Sequence, residues 1–265
     1  MYFGCLIKEY VTKFTDGKPM LRQGDTGDWI GTFEGHKGAV WGVDLNRHAT
    51  RAASGAADFS AKVWNAVDGE ELLNLQHKHI VKSVNFSKDS STLATGSNDK
   101  VLRLFDLEKP EEAKIKFEGH TSGIKQVLFD TDERRLISCA DDKTLRFWDS
   151  ANGQEIHKVD LTAPVGGLEL SKEQNILTVA HGQTVSFFNS ETFERIKDVS
   201  LPSTIYSASL LYGRKIFVCG GEDFKLYKYN YETGTEIGKN TWFFSMHTCD
   251  TSLLALKLFN GNSTK

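Results

Sequence analysis

Gly119-His120-Thr121-Ser122-Gly123-Ile124 opens a stretch that closes on Trp148-Asp149, and the same opening is written twice more, as Gly35-His36-Lys37-Gly38-Ala39-Val40 and Gln76-His77-Lys78-His79-Ile80-Val81. In each, the first β-branched residue of an apolar run follows the histidine by four positions, which makes His77 rather than His79 the equivalent residue. The far end recurs more widely. A strand-ending slot falls at Arg22, Trp64, Phe105, Trp148, Phe188 and Tyr229, at steps of 42, 41, 43, 40 and 41. A period of that length, with Gly-His at one end and Trp-Asp at the other, marks a chain built by repeating one supersecondary unit.

Each unit reads as strands. Val81-Lys82-Ser83-Val84-Asn85-Phe86 and Leu93-Ala94-Thr95-Gly96-Ser97 alternate in polarity, Asn98-Asp99-Lys100 makes a turn, and Val101-Leu102-Arg103-Leu104-Phe105-Asp106 returns. Ile115-Lys116-Phe117 supplies a shorter fourth run. Period-two runs rich in β-branched and aromatic residues, punctuated by Asn, Asp and Gly, predict antiparallel strands joined by tight turns. Four strands per period predict one propeller blade per repeat, in an all-β fold. The turn aspartate checks the register: Asp58, Asp99, Asp142 and Asp223 each stand six residues before their slot, and Asp16 stands six before Arg22. The fifth repeat departs, with Gly182 before Phe188 and no matching Gly-His.

Composition narrows the function classes. The 265 residues carry a net charge of −3, a hydrophobic share of 39% and a charged share of 25%, so no strong nucleic-acid or membrane field is expected. Direct nucleic-acid binding and membrane insertion are therefore not expected. Met1 to Phe14 is interrupted by Lys8, Glu9 and Lys13 and lacks the apolar core of a secretory signal. Cys5, Cys139, Cys219 and Cys249 lie far apart with no Cys-x-x-Cys pair, which points to a reducing compartment, cytosolic or nuclear. No Gly-x-Gly-x-x-Gly, P-loop or Gly-x-Ser-x-Gly motif gives nucleotide or hydrolase chemistry a handle. His77-Lys78-His79 offers only two nitrogens to a metal, and no cofactor is expected.

The Gly-His and Trp-Asp landmarks resemble the WD40 repeat family. That resemblance implies a hydrogen-bonded tetrad of histidine, strand hydroxyl, turn aspartate and tryptophan bracing each blade. His36, Ser54, Asp58 and Trp64 match it fully, as do His120, Ser138, Asp142 and Trp148; His77, Thr95 and Asp99 match without the tryptophan, because Phe105 has no N–H to donate. A hydrolase triad is the competing reading of His, Asp and Ser, but an active site occurs once and this set recurs. The resemblance also implies that the residue after the first β-branched position of each inner strand sits near the rim of one face, where partners dock. Those residues are Trp41, Lys82, Lys125, Gly166 and Tyr206, and Trp, Tyr and basic side chains are the types that act as anchors or rim charges.

Asp16 to Phe33, Gly35 to Gly42, His77 to Lys82 and Gly220 to Tyr229 are more specific. They resemble the serine-threonine kinase receptor-associated protein family. The resemblance implies a non-catalytic scaffold, found in cytoplasm and nucleus, with partners in the survival-of-motor-neuron complex of spliceosomal snRNP assembly, the RNA-binding protein unr, and the TGF-β receptors with inhibitory Smads. The WD40 subunit of translation initiation factor 3 has a similar layout and is the alternative; a propeller enzyme is the third reading. The family ring has seven blades, whereas the spacing here gives the end of a first repeat and five complete ones over 16–238. Residues 1–15 and 239–265 fall outside the register, the latter with apolar clusters Trp242-Phe243-Phe244 and Leu253 to Phe259, so a truncated or alternatively spliced form and an incomplete propeller are expected.

Overall fold

The computed structural model describes residues 9–12, 16–171, 175–211, 213 and 215–241. Among them are twenty-three strands and no helix, paired antiparallel in six sheets. The first sheet holds β1 (Glu9–Thr12), β2 (Met20–Gln23) and β3 (Trp29–Thr32); the second holds β4 (Val40–Leu45), β5 (Arg51–Ala56), β6 (Ser60–Asn65) and β7 (Glu71–Gln76). The third comprises β8 (Val81–Phe86), β9 (Thr92–Ser97), β10 (Leu102–Asp106) and β11 (Ile115–Phe117), and the fourth β12 (Ile124–Phe129), β13 (Arg135–Ala140), β14 (Thr144–Asp149) and β15 (Glu155–Asp160). The fifth is β16 (Val165–Ser171), β17 (Ile176–His181), β18 (Thr184–Asn189) and β19 (Arg195–Ser200); the sixth is β20 (Ile205–Leu210), β21 (Ile216–Gly221), β22 (Lys225–Asn230) and β23 (Glu236–Thr241). Sheets of four strands in simple chain order are propeller blades.

All six slots of the repeat fall one residue before the end of a strand: β2, β6, β10, β14, β18 and β22. Within the segment 1–15, which the repeat spacing does not reach, Glu9–Thr12 pairs with Met20–Gln23 and gives the first sheet a third strand. At the other end β23 carries the sixth sheet past residue 238 to Thr241. The tail clusters at 242–244 and 253–259 lie outside the described residues.

The chain divides into two compact units, residues 1–158 and 159–265. In the first unit the core lies between neighbouring sheets. Leu21 and Phe33 meet Ala52 and Trp64; Val63 and Leu75 meet Val84, Phe86 and Phe105; Leu104 and Phe117 meet Val127, Phe129 and Trp148. In the second unit Phe187 of β18 packs edge-on against Phe217 of β21 at 5.3 Å and Tyr231 at 4.9 Å. Because sheets bury both faces, middle strands such as β6 and β14 are buried at all but their last residue, whereas β15 is mostly exposed. A fully buried large apolar side chain contributes about 1.5–3 kcal/mol, so these strands hold most of the stability.

Side chains of the first strands also tie sheet to sheet. The Asp44 carboxylate accepts from Phe86 N at 2.7 Å and from Asn85 Nδ2 at 3.0 Å, and Asn85 Oδ1 accepts from Phe129 N at 2.9 Å. In the second unit Ser209 donates to Glu169 at 3.0 Å. The outer strands carry a different device. At the slot their pairing slips by one residue, and the residue left over is Leu72, Ile196 or Ile237, each close to half exposed. A bulge of this kind twists an edge away from pairing with another chain.

Candidate functional site

In the second and fourth sheets a relay of hydrogen bonds runs from the core to the loop before the first strand. Trp64 Nε1 donates to Ser54 Oγ at 2.7 Å, Ser54 Oγ lies 2.7 Å from His36 Nε2, and His36 Nδ1 lies 2.8 Å from Asp58 Oδ2. An indole N–H only donates, so the serine accepts from it and donates its own O–H to Nε2, and the neutral ring carries its proton on Nδ1 for the aspartate. Trp148, Ser138, His120 and Asp142 repeat the relay at 2.8, 2.8 and 3.0 Å. The aspartates then seize the two loops at this end. Asp58 accepts from Lys37 N and the Ser60 hydroxyl, and Asp142 from Thr121 N and the Thr144 hydroxyl.

The electrostatics agree with a neutral imidazole. Burial pushes His36 and His120 below their ordinary pKa, and the neighbouring aspartates only partly offset it. Burial opposes ionisation of Asp142 too, but donations from Thr144, Thr121 N and His120 outweigh it and hold the carboxyl at about 2.

A second pair, which the sequence reading missed, stands behind each relay. Lys62, two residues before Trp64, is ion-paired with Glu71 and lies 5.7 Å from the indole centroid; Arg146, two before Trp148, pairs with Glu155 and lies 6.0 Å from its indole. The glycine of Gly-His is where these groups crowd. A Cβ on Gly119 would come within 2.7 Å of Arg146 Nη1 and 3.1 Å of Trp148 Cη2, and one on Gly35 within 3.1 Å of Trp64 Cη2. The recurring offset of cation, slot and glutamate was the available signal.

The third sheet departs from the expected tetrad. His77 and Thr95 meet at 2.9 Å, and the Phe105 ring packs on the imidazole at 5.6 Å, but Asp99 does not join them. Asp99 instead holds Arg103, at 3.0 and 2.7 Å, and His77 Nδ1 donates to Leu75 O at 3.0 Å. The reason lies on the fourth strand. Glu112 stands at the offset of Glu71 and Glu155, but it sits exposed in the loop before β11, so Arg103 turns to the turn aspartate. Burial and then the Arg103 charge push His77 down to about 4.

The residue two before the slot decides the arrangement in the second unit as well. In the fifth sheet Ser186 donates to Asp198 at 2.6 Å, and His181 Nε2 lies 2.8 Å from the Ser186 oxygen. The serine proton is committed, so Nε2 carries the ring proton here and the relay runs in reverse. In the sixth, the Tyr227 hydroxyl donates to Asp223, which pushes the phenol up to about 12, while Tyr229 stacks on Phe217 at 5.3 Å.

The candidate docking residues share one geometry. Pairing of the first two strands jumps from Val40 to Gly42, Val81 to Ser83, Ile124 to Gln126, Val165 to Gly167 and Ile205 to Ser207. The residues left out are Trp41, Lys82, Lys125, Gly166 and Tyr206. A bulge re-aims the side chain it leaves unpaired. Trp41 is 46% exposed, and Lys82 and Lys125 share one carboxylate, Asp141, at 3.6 and 3.2 Å. The bulges at Trp41 and Lys125 follow directly on the loops that Asp58 and Asp142 clamp.

Four-stranded blades, relays from a slot tryptophan to a turn aspartate, and a bulged first strand define a WD40-type β-propeller. The family model for the Nucleolar protein 10-like N-terminal β-propeller domain matches residues 29–191. Serine-threonine kinase receptor-associated protein of Gallus gallus is 55% identical over 222 residues, 84% of this chain and 63% of its own length. The protein of that name in Dictyostelium discoideum is 40% identical over 231 residues, covering 87% of this chain and 78% of its own. Eukaryotic translation initiation factor 3 subunit I of Drosophila virilis is more distant, at 26% over 210 residues, 74% of this chain and 65% of its own. The chain belongs to the β-propeller family of that model and to the serine-threonine kinase receptor-associated protein family. It spans 63% of the length of its chicken relative.

Proposed function

We propose that the chain is a non-catalytic scaffold whose bulged strand starts dock protein partners. The observation that carries this reading is the single extra residue at the same point of five first strands, which re-aims Trp41, Lys82, Lys125 and Tyr206 out of the strand pairing. Against catalysis stands the recurrence of the polar relays, whose serines are buried and committed to neighbours. On family membership we further propose partners of the kind named above: survival-of-motor-neuron complex subunits in spliceosomal snRNP assembly, unr, and TGF-β receptors with inhibitory Smads. Cytoplasm and nucleus are the proposed compartments, on family membership alone.

Affinity purification of the tagged chain followed by mass spectrometry tests the proposal. Recovery of Sm-assembly factors supports it, and recovery of initiation-factor 3 subunits instead would favour the other relative. A Trp41→Ala, Tyr206→Ala variant that melts like the parent should lose those partners; normal capture by that variant would contradict a docking role for these residues.

A further inference from the structure

Each blade also carries a left-handed residue in the turn between its second and third strands: Phe59 (φ 67), Lys100 (φ 71), Lys143 (φ 62), Gly182 (φ 54) and Phe224 (φ 57). Glycine adopts this backbone freely, and bulky residues there are true outliers. Four of the five turns nevertheless keep a long or aromatic side chain. Set beside the bulges, these residues match by type. Trp41 goes with Phe59, Lys82 with Lys100, Lys125 with Lys143, Gly166 with Gly182, and Tyr206 with Phe224. The offset is 18 residues in four blades and 16 in the fifth. Strand pairing explains why the two positions act together, since Val40 opposes Ala56, so Trp41 and Phe59 lie at the same end of the second sheet.

In the first unit the matched pairs sort into zones. The second sheet presents two rings, Trp41 at 46% and Phe59 at 43% exposure, with His79 packed 5.3 Å from Phe59. The third and fourth present four lysines. Neighbouring first strands are close enough that a Cβ on Gly42 would lie 2.6 Å from Lys82 O, which sets ring zone against lysine zone. Of the acids at this end, Asp58 and Asp142 are spent on their relays and Asp99 on Arg103. Asp141 alone is shared by Lys82 and Lys125, two cations for one carboxylate.

Resting on the docking role proposed above, we infer that this face of the second to fourth sheets binds an acidic peptide segment with an apolar anchor. The anchor side chain sits on Trp41 and Phe59, and the carboxylates compete with Asp141 for Lys82 and Lys125 while reaching Lys100 and Lys143. A single-stranded nucleic acid fits less well. Its binding sites interleave rings and cations along the strand, and Arg is the favoured fork for phosphate. Here rings and lysines are segregated, and Arg103 and Arg146 are buried in ion pairs.

Peptide display against the full 265-residue chain tests this, with selected peptides and a uridine-rich RNA oligonucleotide then titrated by fluorescence anisotropy. The expected result is enrichment of peptides with two or more carboxylates beside an aromatic or aliphatic residue. Their affinity should fall at least about tenfold in a Lys82→Gln, Lys100→Gln, Lys125→Gln, Lys143→Gln variant and with added salt. A Trp41→Ala, Phe59→Gly variant should weaken them similarly, both variants keeping the parent's circular dichroism and melting temperature. No enrichment, enrichment of neutral or basic peptides, unchanged affinity in the lysine variant, or RNA binding tighter than any peptide would each overturn it. If partner capture still depends on Trp41 and Tyr206 while acidic peptides fail, the docking role stands and only this inference falls.

Discussion

The fourth sheet and the third carry the same slots in the same order and hydrogen-bond them differently. In the fourth, Asp142 accepts from His120 and from two loops, and Arg146 finds Glu155 on the outer strand. In the third, Asp99 is drawn to Arg103 and His77 settles on a backbone carbonyl. The difference teaches that the brace is inherited as a set. Tryptophan needs the bare glycine in front of the histidine, and the cation needs an outer-strand glutamate, or it takes the turn aspartate for itself.

The sharpest way to break the comparison is to remove the acceptor. Asp142→Ala takes the acceptor from the part-buried His120 Nδ1–H and Thr144 hydroxyl and from the exposed Thr121 N–H, and should cost about 2–3 kcal/mol in urea unfolding. An unchanged melting temperature would remove Asp142 from the brace.

Grafting the tryptophan is the next test. Phe105→Trp places an indole against Gln76, where the braced sheets have Gly35 and Gly119, and overpacking should cost about 1–3 kcal/mol. Adding Gln76→Gly should recover most of that loss. No recovery would mean that glycine and tryptophan are not a matched pair.

Acid gives a smaller effect with a definite sign. His77, His36 and His120 have depressed pKa values in the folded chain, so the unfolded chain takes up protons first as pH falls below about 6.5. Stability is full above that value and drains as pH approaches the folded values, about 4 for His77. Asp142 adds its own loss only below its unfolded value near 3.8, on the way to about 2. His77→Gln should therefore flatten the decline between pH 7.5 and 4.5 by roughly 1–2 kcal/mol. Smallest of all, Lys82→Gln with Lys125→Gln should move stability by no more than about 0.5 kcal/mol while weakening partner capture.

The blades were legible because a propeller repeats its strands at a nearly fixed interval, and every slot from Arg22 to Tyr229 lands at the same point of a strand. The relays of the second and fourth sheets were legible because each of their members recurs at a fixed offset. Asp99 was not, since its partner is decided by whether Glu112 reaches the sheet, and one extra residue between Leu104 and its partner Ile115, compared with Val63 and Leu73, leaves Glu112 in the loop. The His181, Ser186 and Asp198 chain was hidden for another reason. Its histidine comes from the second strand, and no repeat position announces it. Trp41, Lys82, Lys125, Gly166 and Tyr206 share one position in the repeat and so stand out together in the sequence, but the bulge that leaves each of them unpaired shows only in the strand pairing.

A pair of double-mutant cycles bears most directly on the brace. We predict that His120→Gln with Asp142→Asn shows a coupling of about 1–2 kcal/mol, while His77→Gln with Asp99→Asn shows a coupling near zero and Arg103→Met with Asp99→Asn a large one. Equal coupling of histidine and aspartate in both sheets would contradict the account, because it would mean that Asp99 holds His77 as Asp142 holds His120.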